Sequence, residues 1–145
     1  MSTAATTTTQ VYQVFIRATP EAIWEAITDP DFTEQYFYGT RMQITATRKR
    51  TWRNDEWGDD EVFVFDPPRR LVHSWHSKWN PEMAAEEPSR VTWEIDPRDD
   101  GMCLLTLVHD QLEGAPKTAE GVAGEGWMFV LSGLKTLLET GMPLA

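Results

Sequence analysis

Residues 126–141 read GWMFVLSGLKTLLETG. Trp127, Leu131, Leu134 and Leu138 recur at the spacing that places side chains on one face of a helix, and Val130 and Leu137 widen the stripe. Thr118 stands where a cap would, Glu120 falls in the first turn, and Gly141 sits as the residue just beyond the last turn. The spacing predicts one helix over residues 118–140. Gly121, Gly124, Gly126 and Gly133 interrupt it, each costing about 1 kcal/mol relative to Ala within a helix. So many glycines point to a close backbone approach, a kink, or space left for something else. A helix of this length with one apolar stripe needs a broad apolar surface to lie on, and the rest of the chain supplies a sheet.

Residues 11–16 (VYQVFI) are rich in β-branched and aromatic residues and read as a first strand. Thr19-Pro20-Glu21 then starts a helix carrying Ile23, Trp24 and Ile27, which Asp29-Pro30 stops. A short second helix is expected over residues 31–36, ending near Gly39. From Arg41 to His109 strands alternate with turns. Residues 43–52 and 61–65 read as one hairpin around a polar loop at 54–60. Asp66-Pro67-Pro68 turns into a strand at 71–79, residues 80–88 read as a loop, and 90–95 and 102–109 are strands either side of the turn DPRDDG. The order is strand, two short helices, antiparallel meander and long C-terminal helix. That is an α+β fold in which a curved antiparallel sheet wraps around the last helix. Residues 1–10 are expected to be a disordered tail and residues 11–145 a single domain.

The 145 residues suffice to bury about two-thirds of the unfolded surface. Acidic residues outnumber basic ones 23 to 13, giving a net charge of −10. That balance argues against a nucleic-acid backbone or an anionic membrane as partner, since both need clustered positive potential. The single Cys103 excludes an intramolecular disulfide. The start, MSTAATTTTQ, lacks the basic and apolar parts of a secretory signal, so a soluble cytoplasmic protein is expected. Seven Trp is a heavy load for this length, and Trp requires a thick core or a ligand cavity to cover it.

The densest aromatic stretch is LVHSWHSKW, residues 71–79. Residues three apart in a strand face opposite ways, so His73 and His76 do not share a face and no metal site is expected there. Leu71, His73 and Trp75 share one face. They can join Val91, Trp93 and Ile95, and then Leu105, Leu107 and His109, with Trp127 covering them. His73, Trp75, Trp93, Leu105, Leu107, His109, Trp127 and Leu131 thus make an apolar surface with two imidazoles on it, the candidate lining of a ligand pocket with polar anchors. A filled core of the same residues is the alternative. His109-Asp110, or His73 with His109, could act as acid and base, but no nucleophile accompanies them. Cys103, among apolar neighbours on a strand, is read as packing rather than reacting. No catalytic residue and no cofactor is assigned.

The segment RKRTWR is followed by DEWGDDE, so opposite charges can meet across strands. Trp52 and Trp57 are candidate protein contacts on it. EF-hand spacing is absent.

VFIRATPEAIWEAITDPDF, FDPPRRLVHSW, SRVTWEID, LTLVHDQL and GWMFVLSGLKTLLETG together resemble the SRPBCC (START-like, helix-grip) superfamily. Within it the chain is most similar to the bacterial stand-alone homologues of the activator of the Hsp-90 ATPase. The region RMQITATRKRTWRNDEWGDDEVF departs from the pattern: it lacks the family's Trp-x-Pro-Gly-like turn and glycine-rich hairpin. The resemblance implies a deep hydrophobic pocket between sheet and C-terminal helix. Such pockets in the superfamily bind lipids, polyketides, hormones or unidentified apolar molecules, and a minority of members are enzymes. The expected function is a small binding protein, monomer or homodimer, for an apolar or aromatic small molecule or lipid. The alternatives are a chaperone-associated stress-response module working through its surface, and an enzyme of the cyclase or hydratase kind.

Overall fold

The computed structural model describes residues 8–53, 56–77, 80–123 and 125–144, with the side chains of Glu56 and Trp57 outside the description. Its strands are β1 (Gln10–Ile16), β2 (Arg41–Ile44), β3 (Arg48–Trp52), β4 (Glu56–Asp66), β5 (Arg70–Trp75), β6 (Ser89–Pro97) and β7 (Cys103–Asp110). Its helices are α1 (Pro20–Thr28), α2 (Pro30–Tyr36), α3 (Pro81–Ala84), α4 (Pro116–Val122) and α5 (Glu125–Thr140), with a 3-10 turn at Asp99–Gly101. The strands form one antiparallel sheet in the order β1-β7-β6-β5-β4-β3-β2. Only β1 is out of chain order. It pairs with β7, which leaves α1 and α2 to carry the chain across to β2 at the far edge. The sheet curls around α5, and the arrangement is the α+β helix-grip fold.

Local chemistry explains the first half of this. Thr19 caps α1, its Oγ1 accepting from the Ala22 N–H at 3.1 Å, with Pro20 next in line. Asp29 closes α1 through its backbone and opens α2 through its side chain, which accepts from the Asp31 N–H at 2.8 Å. Gly141 takes φ 79°, the left-handed residue that ends α5, and its N–H reaches the Leu137 carbonyl at 2.8 Å.

Elsewhere the elements differ from the expectation. The strand expected over 43–52 is two strands. Thr45 folds the chain back between them, with its N–H bonded to the Arg48 carbonyl at 2.9 Å and its hydroxyl accepting from the Arg48 N–H at 3.3 Å. The loop expected over 54–60 is strand from Glu56 onward; residues 54 and 55 lie outside the description. The acidic run extends as β4 because the basic run pairs with it: Arg48 opposite Glu61, Lys49 opposite Asp60, Arg50 opposite Asp59. β5 stops at Trp75, because its neighbour β6 begins at Ser89, directly opposite. The expected loop at 80–88 contains α3, capped by Asn80, whose Oδ1 accepts from the Glu82 N–H at 2.8 Å.

The expected single C-terminal helix is two. Ala123 is extended (ψ 174°) between α4 and α5. Thr118 lies inside α4 rather than capping it. The capping group comes from a distant residue, Glu86, whose carboxylate accepts from the Lys117 N–H at 2.6 Å and the Thr118 N–H at 2.9 Å. Of the expected tail, residues 1–7 lie outside the described residues. The following residues are placed: Thr8 accepts from the Leu112 N–H, and Gln10 is buried with its amide on the Ala119 carbonyl. No helix among the described residues is long and apolar enough to cross a membrane.

Candidate ligand cavity

The concave face of the sheet is built by alternation, as register shows. Leu71 faces Trp93, His73 faces Val91, Trp93 faces Leu107, Ile95 faces Leu105, and Val91 faces His109. All nine inward residues of β5, β6 and β7 are buried. From α5, Trp127 drops onto this wall against Trp75, Trp93 and His109, with ring centroids 5.3 to 5.9 Å apart.

Each buried indole N–H in this wall has an acceptor. Trp75 donates to Ser77 Oγ at 2.9 Å, Trp93 to His73 Nε2 at 3.1 Å, and Trp127 to His109 Nδ1 at 3.0 Å. These contacts assign both tautomers. His73 carries its proton on Nδ1 and gives it to the Ser74 carbonyl at 2.8 Å. His109 carries its proton on Nε2, 2.7 Å from Ser89 Oγ. Both nitrogens of both rings are therefore occupied. Burial holds His73 down at about 3, with the Lys49 ammonium and His109 pushing the same way. Burial likewise holds His109 at about 3, against an opposing pull from Asp110. Neutral imidazoles suit both sites, since a protonated ring would present N–H to the incoming indole N–H.

The arrangement leaves these histidines as acceptors for tryptophan rather than as an acid–base pair. Asp110 does not assist His109: it takes Arg90 bidentately, at 2.9 and 2.5 Å. Cys103 is buried with its thiol on the Ala18 carbonyl at 3.3 Å, and burial pushes that thiol up. Among the described residues, no group of three or more His, Cys, Asp or Glu could hold a metal ion.

Beside the filled wall lies an open cavity of about 380 Å³, within the range of small-molecule sites. Its apolar lining is Phe37, Met42, Trp75, Val122, Trp127 and Val130. Its polar lining is Tyr38, Thr40, Lys49, Thr51, Arg53 and His76. Thus the cavity sits under the β2–β3–β4 end of the sheet and against the α4–α5 junction. Of the eight expected pocket residues, Trp75 and Trp127 line it. His73, Trp93, Leu105, Leu107, His109 and Leu131 do not; they are buried in the packed layer beside it. His76, expected to face away from the concave side, lies past the end of β5, where strand alternation no longer applies. It lines the cavity and its Nε2–H donates to the Ala84 carbonyl at 2.9 Å.

Lys49 is the unforeseen polar group. It is 3% exposed, and its ammonium lies 3.1 Å from Thr51 Oγ1, 3.6 Å from Asp60 Oδ2 and 4.6 Å above the Trp75 ring. Asp60, also buried, accepts from Ser74 Oγ at 2.8 Å. Burial lowers the Lys49 pKa, and the Asp60 carboxylate opposes the shift. Arg53 is exposed at the rim, held by Nη2 on the Tyr38 carbonyl at 2.7 Å and on Thr40 Oγ1 at 3.4 Å. Of the two tryptophans expected as protein contacts, Trp52 is half-buried with the Arg41 guanidinium 5.8 Å from its ring centre. The Trp57 side chain lies outside the described residues.

The family model described as activator of Hsp90 ATPase homolog 1-like protein matches residues 17–139. The chain belongs to this family. Proteins of curated function give no match. Among solved structures, this Hsp90-activator-like chain is similar to protein MLL2253 from Mesorhizobium loti. The two share 25% identity and a TM-score of 0.71 over 90% of this chain and 96% of that one. It is also similar to DynU16, from the dynemicin biosynthetic locus, at 24% identity and a TM-score of 0.71. That match covers 94% of this chain and 49% of DynU16, so the chain spans about half of it. The Aha1 dimer from Colwellia psychrerythraea shares the fold at 17% identity and a TM-score of 0.66, over 92% and 97% of the two chains.

Sequence reading missed Met42, Lys49, Thr51 and Val122 for two reasons in this family member. Which residues of β2 and β3 face inward depends on the turn at Thr45, and the direction of α4 depends on Glu86. Val130 was visible in the helical stripe but carries no mark of a cavity rather than a core.

Proposed function

We propose that this Hsp90-activator-like protein binds one apolar or aromatic small molecule in the cavity between the β2–β4 end of the sheet and the α4–α5 junction. The observation that carries the reading is the lining itself: Trp75 and Trp127 offer aromatic surface whose N–H groups are already satisfied within the protein. A ligand there meets apolar rings without having to replace a hydrogen bond. The likeness to DynU16, a protein from a biosynthetic locus, is of a piece with a small-molecule role. The same reading takes the protein as a cytoplasmic binder, in keeping with a single free thiol. The chaperone-surface alternative draws less support, because the basic strand β3 spends charge on β4 through Arg48–Asp59 and Lys49–Asp60.

The test is uptake of the neutral fluorescent probe N-phenyl-1-naphthylamine. The natural protein should enhance its emission in a saturable way. Val130→Phe, which puts a ring into the cavity, should abolish uptake while circular dichroism and cooperative unfolding stay intact. Undiminished uptake by that variant would sink the assignment.

A further inference from the structure

We propose that the cavity selects an aromatic acid, with its anionic group received at the rim by Arg53 and, behind it, Lys49. This rests on the cavity reading above and adds the ligand's charge. The chain as a whole carries 23 acidic and 13 basic residues, so a neutral or acidic lining is what chance placement favours. The cavity departs from that: its described lining holds Lys49 and Arg53 and no carboxylate.

Among the described residues, both cations retain donors. An ammonium has three N–H groups, and Lys49 makes one hydrogen bond of ordinary length, to Thr51, with Asp60 further off at 3.6 Å. A guanidinium has five N–H groups. The Arg53 contacts among the described residues, to the Tyr38 carbonyl and Thr40 Oγ1, both use Nη2. Those two contacts fix its position without neutralising it, since neither acceptor is charged. Lys49 is balanced by Asp60, so among the described residues Arg53 supplies the charge without an acidic partner. A planar guanidinium held in this way matches a carboxylate or sulfonate, and the geometry favours Arg over Lys. The body of the ligand then lies inward on Trp75 and Trp127.

The experiment compares two probes with the same arylamine skeleton, neutral N-phenyl-1-naphthylamine and anionic 8-anilinonaphthalene-1-sulfonate, on the folded protein at neutral pH. The anion should bind about tenfold more tightly than the neutral probe, the scale of a charge-assisted hydrogen bond. Arg53→Gln should remove that preference and leave the neutral probe's affinity within about twofold, the selectivity of a rim charge. Arg53→Lys should restore part of it. Arg53 is exposed, so its variants are not expected to disturb folding. Neutral binding equal to or tighter than anionic binding in the natural protein overturns the proposal while leaving the cavity in place. So does an Arg53→Gln variant that weakens both probes equally or neither. If neither probe binds, the cavity reading itself falls and this proposal with it.

Discussion

The indole N–H of Trp93 donates to Nε2 of His73 at 3.1 Å, inside the concave wall of the sheet. A second pair, Trp127 on His109, joins the C-terminal helix to the same wall. Two buried tryptophans and two buried histidines satisfy one another, which fits an interior where a lone polar group costs more than a paired one returns.

Acid should weaken the fold through these two rings. Their folded pKa is about 3, against about 6.5 in the unfolded chain. Between those values the unfolded state binds more protons, so stability is full above about 6.5 and falls as pH drops toward 3. Well below 6.5 each pH unit costs about 1.4 kcal/mol per ring. Urea midpoints measured from pH 7.5 to 4.5 should fall accordingly. His73→Gln keeps an acceptor near Nε2 and removes one titrating group, so its slope should be shallower. An unchanged slope would show that His73 is not a source of it.

Removing both members of the pair should cost less than the sum of removing each alone. His73→Phe strands the Trp93 N–H, and Trp93→Phe strands His73 Nε2, each worth about 1–3 kcal/mol in a buried site. The double variant should fall short of the sum, read as a coupling energy from a denaturation cycle. Simple additivity would mean the hydrogen bond contributes nothing net.

Lys49→Met leaves the Asp60 carboxylate buried with Ser74 as its remaining side-chain partner among the described residues. A loss of about 3–5 kcal/mol is expected, as for other broken buried pairs. Lys49→Met combined with Asp60→Asn should regain most of it, because no charge is then left uncompensated. Thermal unfolding of the two variants, compared side by side, decides the point.

Two glycines of the C-terminal segment should respond in opposite ways to Ala. At Gly133 an added Cβ would stand 3.2 Å from Tyr36 Cβ and 3.5 Å from the Tyr36 carbonyl oxygen. Tyr36 is pinned by its hydroxyl on the Ala26 carbonyl at 2.8 Å. Gly133→Ala should therefore lose about 1 kcal/mol, the crowding exceeding the gain in helix propensity. At Gly121 the near neighbour is the Met83 methyl, the free end of a flexible side chain. Gly121→Ala should be neutral or gain up to about 1 kcal/mol. Urea unfolding of both variants tests the contrast.

Much of the fold was legible because it rests on short-range chemistry. Thr19, Asp29-Pro30 and Gly141 mark helix ends by capping that needs only adjacent residues. The inward triads of β5, β6 and β7 follow from period-two alternation, and the observed register brings them face to face. The turn at Thr45, the strand made of the acidic run and the break after Val122 were not legible. The strand depends on a partner elsewhere in the chain, β3 for β4, and the start of α4 on Glu86, whereas the Thr45 turn is closed locally by Arg48 within a stretch that also reads as one continuous strand.

The same division runs through the site. Alternation alone puts His73 and Trp75 on one strand face and helical spacing puts Trp127 on one helix face, since side-chain direction in regular elements is a local property. That the wall is filled and the opening lies beside it, next to Lys49 and Arg53, comes from packing between elements. Whether a face is packed or open depends on how far the helix and the edge strands stand apart. That separation follows from strand register and from pairings between different elements, such as Lys49 of β3 with Asp60 of β4.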